Sequence, residues 1–165
     1  GGRHLSQAGR EYHQVSNCFL LRAEDTREGW GELAKKAMLM LMSGGGIGVD
    51  YSRLRPFGST LGRSGGFASG PIPLMKAVDA IGHAAVSGGN RRAAIYASLH
   101  WSHPDIFDFI RLKSQSKVME FTNVSVILDK TFFQAWWKGD QHARTMYSDL
   151  VYHALRYGDP GFQVD

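Results

Sequence analysis

The sequence predicts a parallel α/β fold, and three observations carry that prediction. Short apolar runs of strand length alternate with longer segments whose apolar residues recur every three or four positions. Glycine, proline and serine punctuate the joins between them. No repeat of fixed period appears, and strands are not gathered into one part of the chain, so a sandwich or an all-helical bundle does not fit.

Residues 1–17 are polar and irregular, and Cys18-Phe19-Leu20-Leu21 reads as a first, buried strand. Thr26 or Asp25 is placed to cap the next segment. There Trp30, Leu33, Ala34, Ala37, Met38 and Leu41 fall on one helical stripe, with Gly29 a weak point inside it. Ser43-Gly44-Gly45-Gly46 ends that helix, and Ile47-Gly48-Val49 is the second strand. A Gly/Ser-rich loop runs over residues 52–70. Pro71 suits the first turn of a helix, whose apolar face is Leu74, Ala77, Val78 and Ile81 and which ends near Val86. Ala93-Ala94-Ile95-Tyr96-Ala97 marks a third strand, and His103-Pro104-Asp105 opens a short helix carrying Ile106, Phe109 and Ile110. Val124, Val126 and Leu128 mark a fourth strand. Residues 129–157 read as helix interrupted at Gly139, and the last residues enter a fifth strand.

Of the 165 residues, 43% are hydrophobic and 21% charged, which suits a packed core rather than a disordered chain. The net charge of +4 is scattered, so no nucleic-acid footprint is formed, and an anionic small ligand explains it equally well. The longest apolar run, 37–42, is far too short to span a membrane, and no basic segment leads into an apolar one at the start. A cytoplasmic location without membrane contact is expected. The single cysteine excludes an internal disulfide framework and a zinc site of several thiolates. The chain opens Gly-Gly-Arg and closes on a turn followed by strand-like residues, so both ends read as cuts in a longer polypeptide.

Ser43 to Gly48 spells S-G-G-G-I-G, superficially a dinucleotide fingerprint. That fingerprint needs its glycines between a strand and the following helix. Here they follow a helix and precede a strand, which rejects it. Ending a helix requires one glycine; three in a row leave open a close approach of backbone to a sugar or base. The 52–70 loop carries Arg53, Arg55 and Arg63 among small residues, fit for capturing an anion or for simple solvation. Ser87-Gly88-Gly89-Asn90-Arg91-Arg92 presents two guanidiniums between a helix and a strand. The seven histidines are spread along the chain, only His100 and His103 standing three apart, and without a clear carboxylate partner most read as surface or packing residues. Trp101, Trp136 and Trp137 read as core or interface. Cys18, without a partner, reads as a small apolar residue.

Taken together and in order, eight stretches resemble the ribonucleotide reductase large subunit. They are Asn17-Cys18-Phe19-Leu20-Leu21, Gly44-Gly45-Gly46-Ile47-Gly48, Arg53-Leu54-Arg55, Ser69-Gly70-Pro71, Gly88-Gly89-Asn90-Arg91-Arg92-Ala93-Ala94, His103-Pro104-Asp105-Ile106, Asn123-Val124-Ser125-Val126 and Gly158-Asp159-Pro160-Gly161-Phe162. The runs 18–25 and 93–101 look more like adenosylcobalamin-dependent members, while iron-dependent large subunits share the glycine and arginine loops.

The resemblance implies a ten-stranded α/β barrel of two five-stranded parallel halves, of which residues 1–165 would supply the first. It implies that Cys18 is one of two cysteines that reduce the ribose, and that Asn17, Gly45, Gly46 and Arg91 meet the substrate, a ribonucleoside di- or triphosphate. Asp25, Arg55, Leu61 and Arg91 would bind a deoxynucleoside triphosphate or ATP effector. Two arginine-bearing glycine turns would then lie beside Cys18, so that the two nucleotides sense each other. Helices near 26–42 and 71–86 would pair two subunits, adenosylcobalamin would serve the full-length parent, and a thioredoxin-like protein would restore the thiols. The radical cysteine motif and the second redox cysteine are absent from these residues, so the chain alone is expected to be inactive and, as half a barrel, poorly stable. A different kind of reading stays open beside this one: a nucleotide-binding or dimerising module of a split reductase.

Overall fold

A computed structural model describes residues 8, 9, 16–62, 65–85, 93–114 and 119–165. Five strands form one parallel sheet in chain order: β1 (Cys18–Arg22), β2 (Gly46–Asp50), β3 (Ile95–His100), β4 (Thr122–Leu128) and β5 (Gly161–Val164). The connections carry α1 (Arg27–Met42), α2 (Pro71–Ala84), a short α3 (Ile106–Ile110) with a 3-10 turn (Leu112–Ser114), then α4 (Lys130–Lys138) and α5 (Gln141–Tyr157). The predicted α/β class and all five strands are therefore present.

Local chemistry sets the boundaries. Thr26 caps α1, its hydroxyl accepting from Gly29 N at 2.9 Å. Gly29 is required there, because a Cβ would lie 2.7 Å from Glu24 Cβ and 2.8 Å from that hydroxyl. Pro71 opens α2 at its first turn. Gly139, at φ +83°, ends α4, and Asp140 caps α5 by accepting from Ala143 N.

Register puts Ile47, Ile95 and Thr122 in one row, then Val49, Ala97 and Val124, then Leu99 and Val126. These residues are buried beneath Leu33, Ala37, Leu41, Leu74, Met75, Val78, Phe109, Phe132 and Leu150. The helices thus cover one face. The opposite face presents Cys18, Leu20, Gly46, Gly48, Tyr96, Asn123, Ser125 and Gln163, several of them exposed. Sequential parallel strands with the helices on one side form a single-wound layer.

Three expectations need correction. The first strand is not buried: β1 is an edge, and Leu20 is 86% exposed. The buried side of α2 is rotated, with Ala77 exposed and Met75, Asp79 and Gly82 turned inward. Polar Asp79 goes inward because it accepts from Thr122 Oγ1 at 2.7 Å and Phe121 N at 3.0 Å. Trp101 is buried, but Trp137 is 85% exposed and belongs to no core.

Candidate functional site

The sequence-predicted residues fall into two groups at opposite ends of β1. Asn17, Cys18, Gly45 and Gly46 gather where β1 and β2 begin. Cys18 is exposed and pairs with Gly46 across the ladder, while Gly46 N donates to Asn17 O at 2.7 Å. The reading of Cys18 as a buried small residue is thereby overturned.

Contacts inside the chain account for the glycine run. Gly44 has φ +79° after the end of α1. A Cβ on Gly45 would stand 2.6 Å from Phe19 Cε2 and 3.3 Å from Met40 O. One on Gly46 would stand 3.3 Å from Ala94 O. Close approach is the reason for these glycines, and the neighbours on the described atoms are Phe19, Met40 and Ala94.

The second group lies past the other end of β1. Arg55 Nε donates to Asp25 Oδ2 at 2.7 Å, and Arg55 Nη2 reaches Asp25 O at 3.4 Å. Both border an open cleft of about 990 Å³ with Leu61, Trp30, Phe67 and Gly70. The N-terminal turn of the 16-residue α1 forms one wall, with Arg27 and Glu28. Helix-start amides and guanidiniums suit anionic oxygens, the Asp25 carboxylate suits a hydroxyl, and Trp30 and Phe67 offer apolar surface.

The loop that supplies Arg55 leaves β2 at Asp50, so it does not sit beside Cys18 as expected. The strand entry that does lie there is β3's: Ile47 N donates to Ala94 O at 3.0 Å. Arg91, together with Arg63, lies outside the described residues. The 52–70 loop is also more ordered than its composition suggests. Thr60 and Phe67 form an antiparallel bridge, and Gly58 N donates to Ala68 O at 2.9 Å.

Sequence reasoning missed the residues around His100. A smaller pocket of about 470 Å³, bordered by Asp50, Ser52, His100, Ser102 and His103, lies at the C-terminal ends of β2–β4. His100 Nδ1 is 2.8 Å from Ser102 Oγ, and its Nε2 is 3.4 Å from Asp129 Oδ2. Burial pushes the Asp129 pKa up, but hydrogen bonds from Thr131, Phe132 N–H, Trp101 and His100 outweigh it and hold the carboxyl well below the usual range. Among the described residues no three His, Cys, Asp or Glu side chains are grouped to hold a metal, and no helix is long and apolar enough to cross a membrane.

A single-wound, five-stranded parallel sheet with helices on one face makes the chain an α/β domain whose open face carries an exposed thiol. Residues 16–163 match the family described as "Ribonucleotide reductase, barrel domain", and the chain belongs to that family. It is 35% identical over 173 residues to a vitamin B12-dependent ribonucleoside-diphosphate reductase of Thermoplasma acidophilum, covering 95% of this chain and 22% of that protein. It is 39% identical over 120 residues to a vitamin B12-dependent ribonucleotide reductase of Streptomyces coelicolor, covering 72% of this chain and 12% of that one. Among solved structures, the Actinobacillus ureae class Id ribonucleotide reductase alpha subunit superposes with a TM-score of 0.85 at 17% identity, covering 98% of this chain and 29% of that one. The last match concerns the fold alone. The chain therefore spans less than a quarter of the length of these two curated relatives.

Proposed function

We propose that residues 1–165 are the Cys18-bearing first half of the catalytic barrel of an adenosylcobalamin-dependent ribonucleotide reductase, a partial domain of a longer chain. The supporting observation is the thiol: Cys18 is exposed on the open sheet face, at the strand ends where Asn17 and Gly46 meet. The relatives' names favour the cobalamin reading over the iron-dependent one.

Reducing C2′ of a ribonucleotide replaces its hydroxyl by hydrogen, with the oxygen leaving as water. Two thiols supply the two electrons and two protons and become a disulfide. Cys18 contributes one sulfur. It is the only cysteine in these residues, so the second thiol and the thiyl that abstracts the 3′ hydrogen belong to the rest of the parent, and this chain alone is inactive. A thioredoxin-like dithiol then reopens the disulfide. Asn17, Gly45, Gly46 and Arg91 would present backbone or charge to the substrate, a ribonucleoside di- or triphosphate. Arg91 rests on the resemblance only.

Asp25, Arg55, Leu61 and Arg91 would hold a deoxynucleoside triphosphate or ATP effector. Arg55 and the start of α1 would take phosphate, and Asp25 the ribose. The adjoining helices α1 and α2 would pair two subunits, a reading supported by exposed Leu39 and Met42 on α1. Adenosylcobalamin supplies a radical source when bound. Among the described residues, the open face around Cys18 (Leu20, Gly48, Tyr96 and Asn123) forms no enclosed seat for a corrin.

The test is Cys18→Ser in the full-length parent, assayed with adenosylcobalamin and a dithiol. Steady-state reduction is expected to fall at least a hundredfold with substrate affinity retained. Turnover near the parent's rate would end this reading.

A further inference from the structure

The His103-Pro104-Asp105 segment has no part in the chemistry above, yet the cleft loop is tied to it. Asp105 Oδ2 accepts from Phe57 N at 2.9 Å. His103, 6% exposed, has Nε2 at 2.9 Å from Leu54 O. Its tautomer follows from the other ring nitrogen: Asp105 N donates to Nδ1 at 3.1 Å, so the proton sits on Nε2 and is donated to Leu54 O. Leu54 and Phe57 bracket Arg55-Pro56. Two side chains thus grip the backbone one residue before the arginine and two after it.

The far end of the loop meets the same carboxylate. Gly70 has φ +73°, and a Cβ there would lie 2.7 Å from Asp105 Oδ2 and 3.0 Å from Phe57 N. Between these points the pairs Gly58 N→Ala68 O and Ala68 N→Ser59 O close the neck. Asp105 sits where both ends of the 57–70 segment converge. Its mount is rigid, because Ile106, Phe109 and Ile110 of the adjoining α3 are fully buried.

We propose that His103 and Asp105 are positioning residues of the cleft: they fix the 54–57 turn so that Arg55 is held on Asp25, ready for a triphosphate-bearing ligand. The inference rests on the effector reading of that cleft. The physical argument is pre-organisation. A long loop that must be ordered on binding subtracts that cost from affinity, and an arginine on a fixed backbone loses less freedom per hydrogen bond formed.

The experiment titrates the full-length parent with dTTP by equilibrium dialysis, after a cooperative melt has shown each variant folded. Asp105→Ala and His103→Ala should each weaken dTTP binding about tenfold, a loss approaching that of Arg55→Ala. Asp105→Asn keeps an oxygen acceptor for Phe57 N and should recover most of it. Substrate affinity without dTTP is the control, since general loosening lowers both affinities and mispositioning lowers one. Anchor variants that bind dTTP like the parent, beside a weakened Arg55→Ala, overturn the positioning role alone. Binding untouched by Arg55→Ala overturns the reading of the cleft beneath it. Should an alanine variant not fold, Gly70→Ala carries the test, pressing a methyl on both Asp105 Oδ2 and Phe57 N, the two atoms of the anchoring hydrogen bond. Unchanged dTTP affinity there also overturns the proposal.

Discussion

Cys18 lies directly across the β1–β2 ladder from Gly46, and with no side chain at Gly46 one flank of the thiol stays open. The expected consequence is fast reaction of native chain with a disulfide reagent, one thiol per molecule and without denaturant. A thiol that reacts only after unfolding would contradict the open face.

Gly45 is held to glycine by Phe19. Its missing Cβ would lie 2.6 Å from the ring edge, and Met40 O at 3.3 Å blocks retreat. Gly45→Ala should therefore cost about 1–3 kcal/mol by overpacking. Phe19→Leu should relieve part of that, giving a coupling of about 0.5 kcal/mol or more in a double-mutant cycle. Urea unfolding measures both. Strict additivity would mean that the ring is not the obstacle.

The strand and helix order was legible because each element carries its own period and punctuation: the stripe of Leu33, Ala37 and Leu41, the cap at Thr26, the stop at Gly139. The thiol-bearing strand end, and Asp25 and Arg55 as separate residues, were singled out only through a resemblance of whole segments, and their ion pair with each other was not read at all. What stayed hidden was tertiary. Nothing local tells that Cys18 faces solvent, because exposure depends on which face of a strand the helices cover. Nor could Asp79 be read as buried or His103 as an anchor, because their partners Thr122 and Leu54 lie over forty positions away. The glycine run was noticed, but its cause is a phenylalanine ring and two carbonyls that only the folded chain brings near.

Asp79 fixes α2 to the start of β4 and also acts on Tyr51. The buried Tyr51 phenol is pushed above its ordinary range, first by burial and then by the Asp79 charge. Asp79→Leu strips the acceptor from the buried Thr122 hydroxyl, at a cost of about 1–3 kcal/mol. Thr122→Val in that background should give some of it back, because both polar partners are then gone. If Asp79→Leu unfolds at the parental urea concentration, the carboxylate is not holding the helix.

Stability in acid should depend on Asp129. Its carboxyl titrates near pH 3.9 in an unfolded chain and lower in the fold, where Thr131, Phe132 N–H, Trp101 and His100 all hydrogen-bond it despite the opposing effect of burial. Below that pH the unfolded state binds more protons than the folded one, so stability falls with falling pH. The contribution is complete above about pH 5 and is lost progressively as pH drops toward the folded pKa. Asp129→Asn keeps one oxygen for these donors but has no proton to take up. Urea midpoints measured at pH 7 and pH 3.5 should therefore converge in the variant relative to the parent. Equal acid slopes in the two proteins would assign the acid loss to groups other than Asp129.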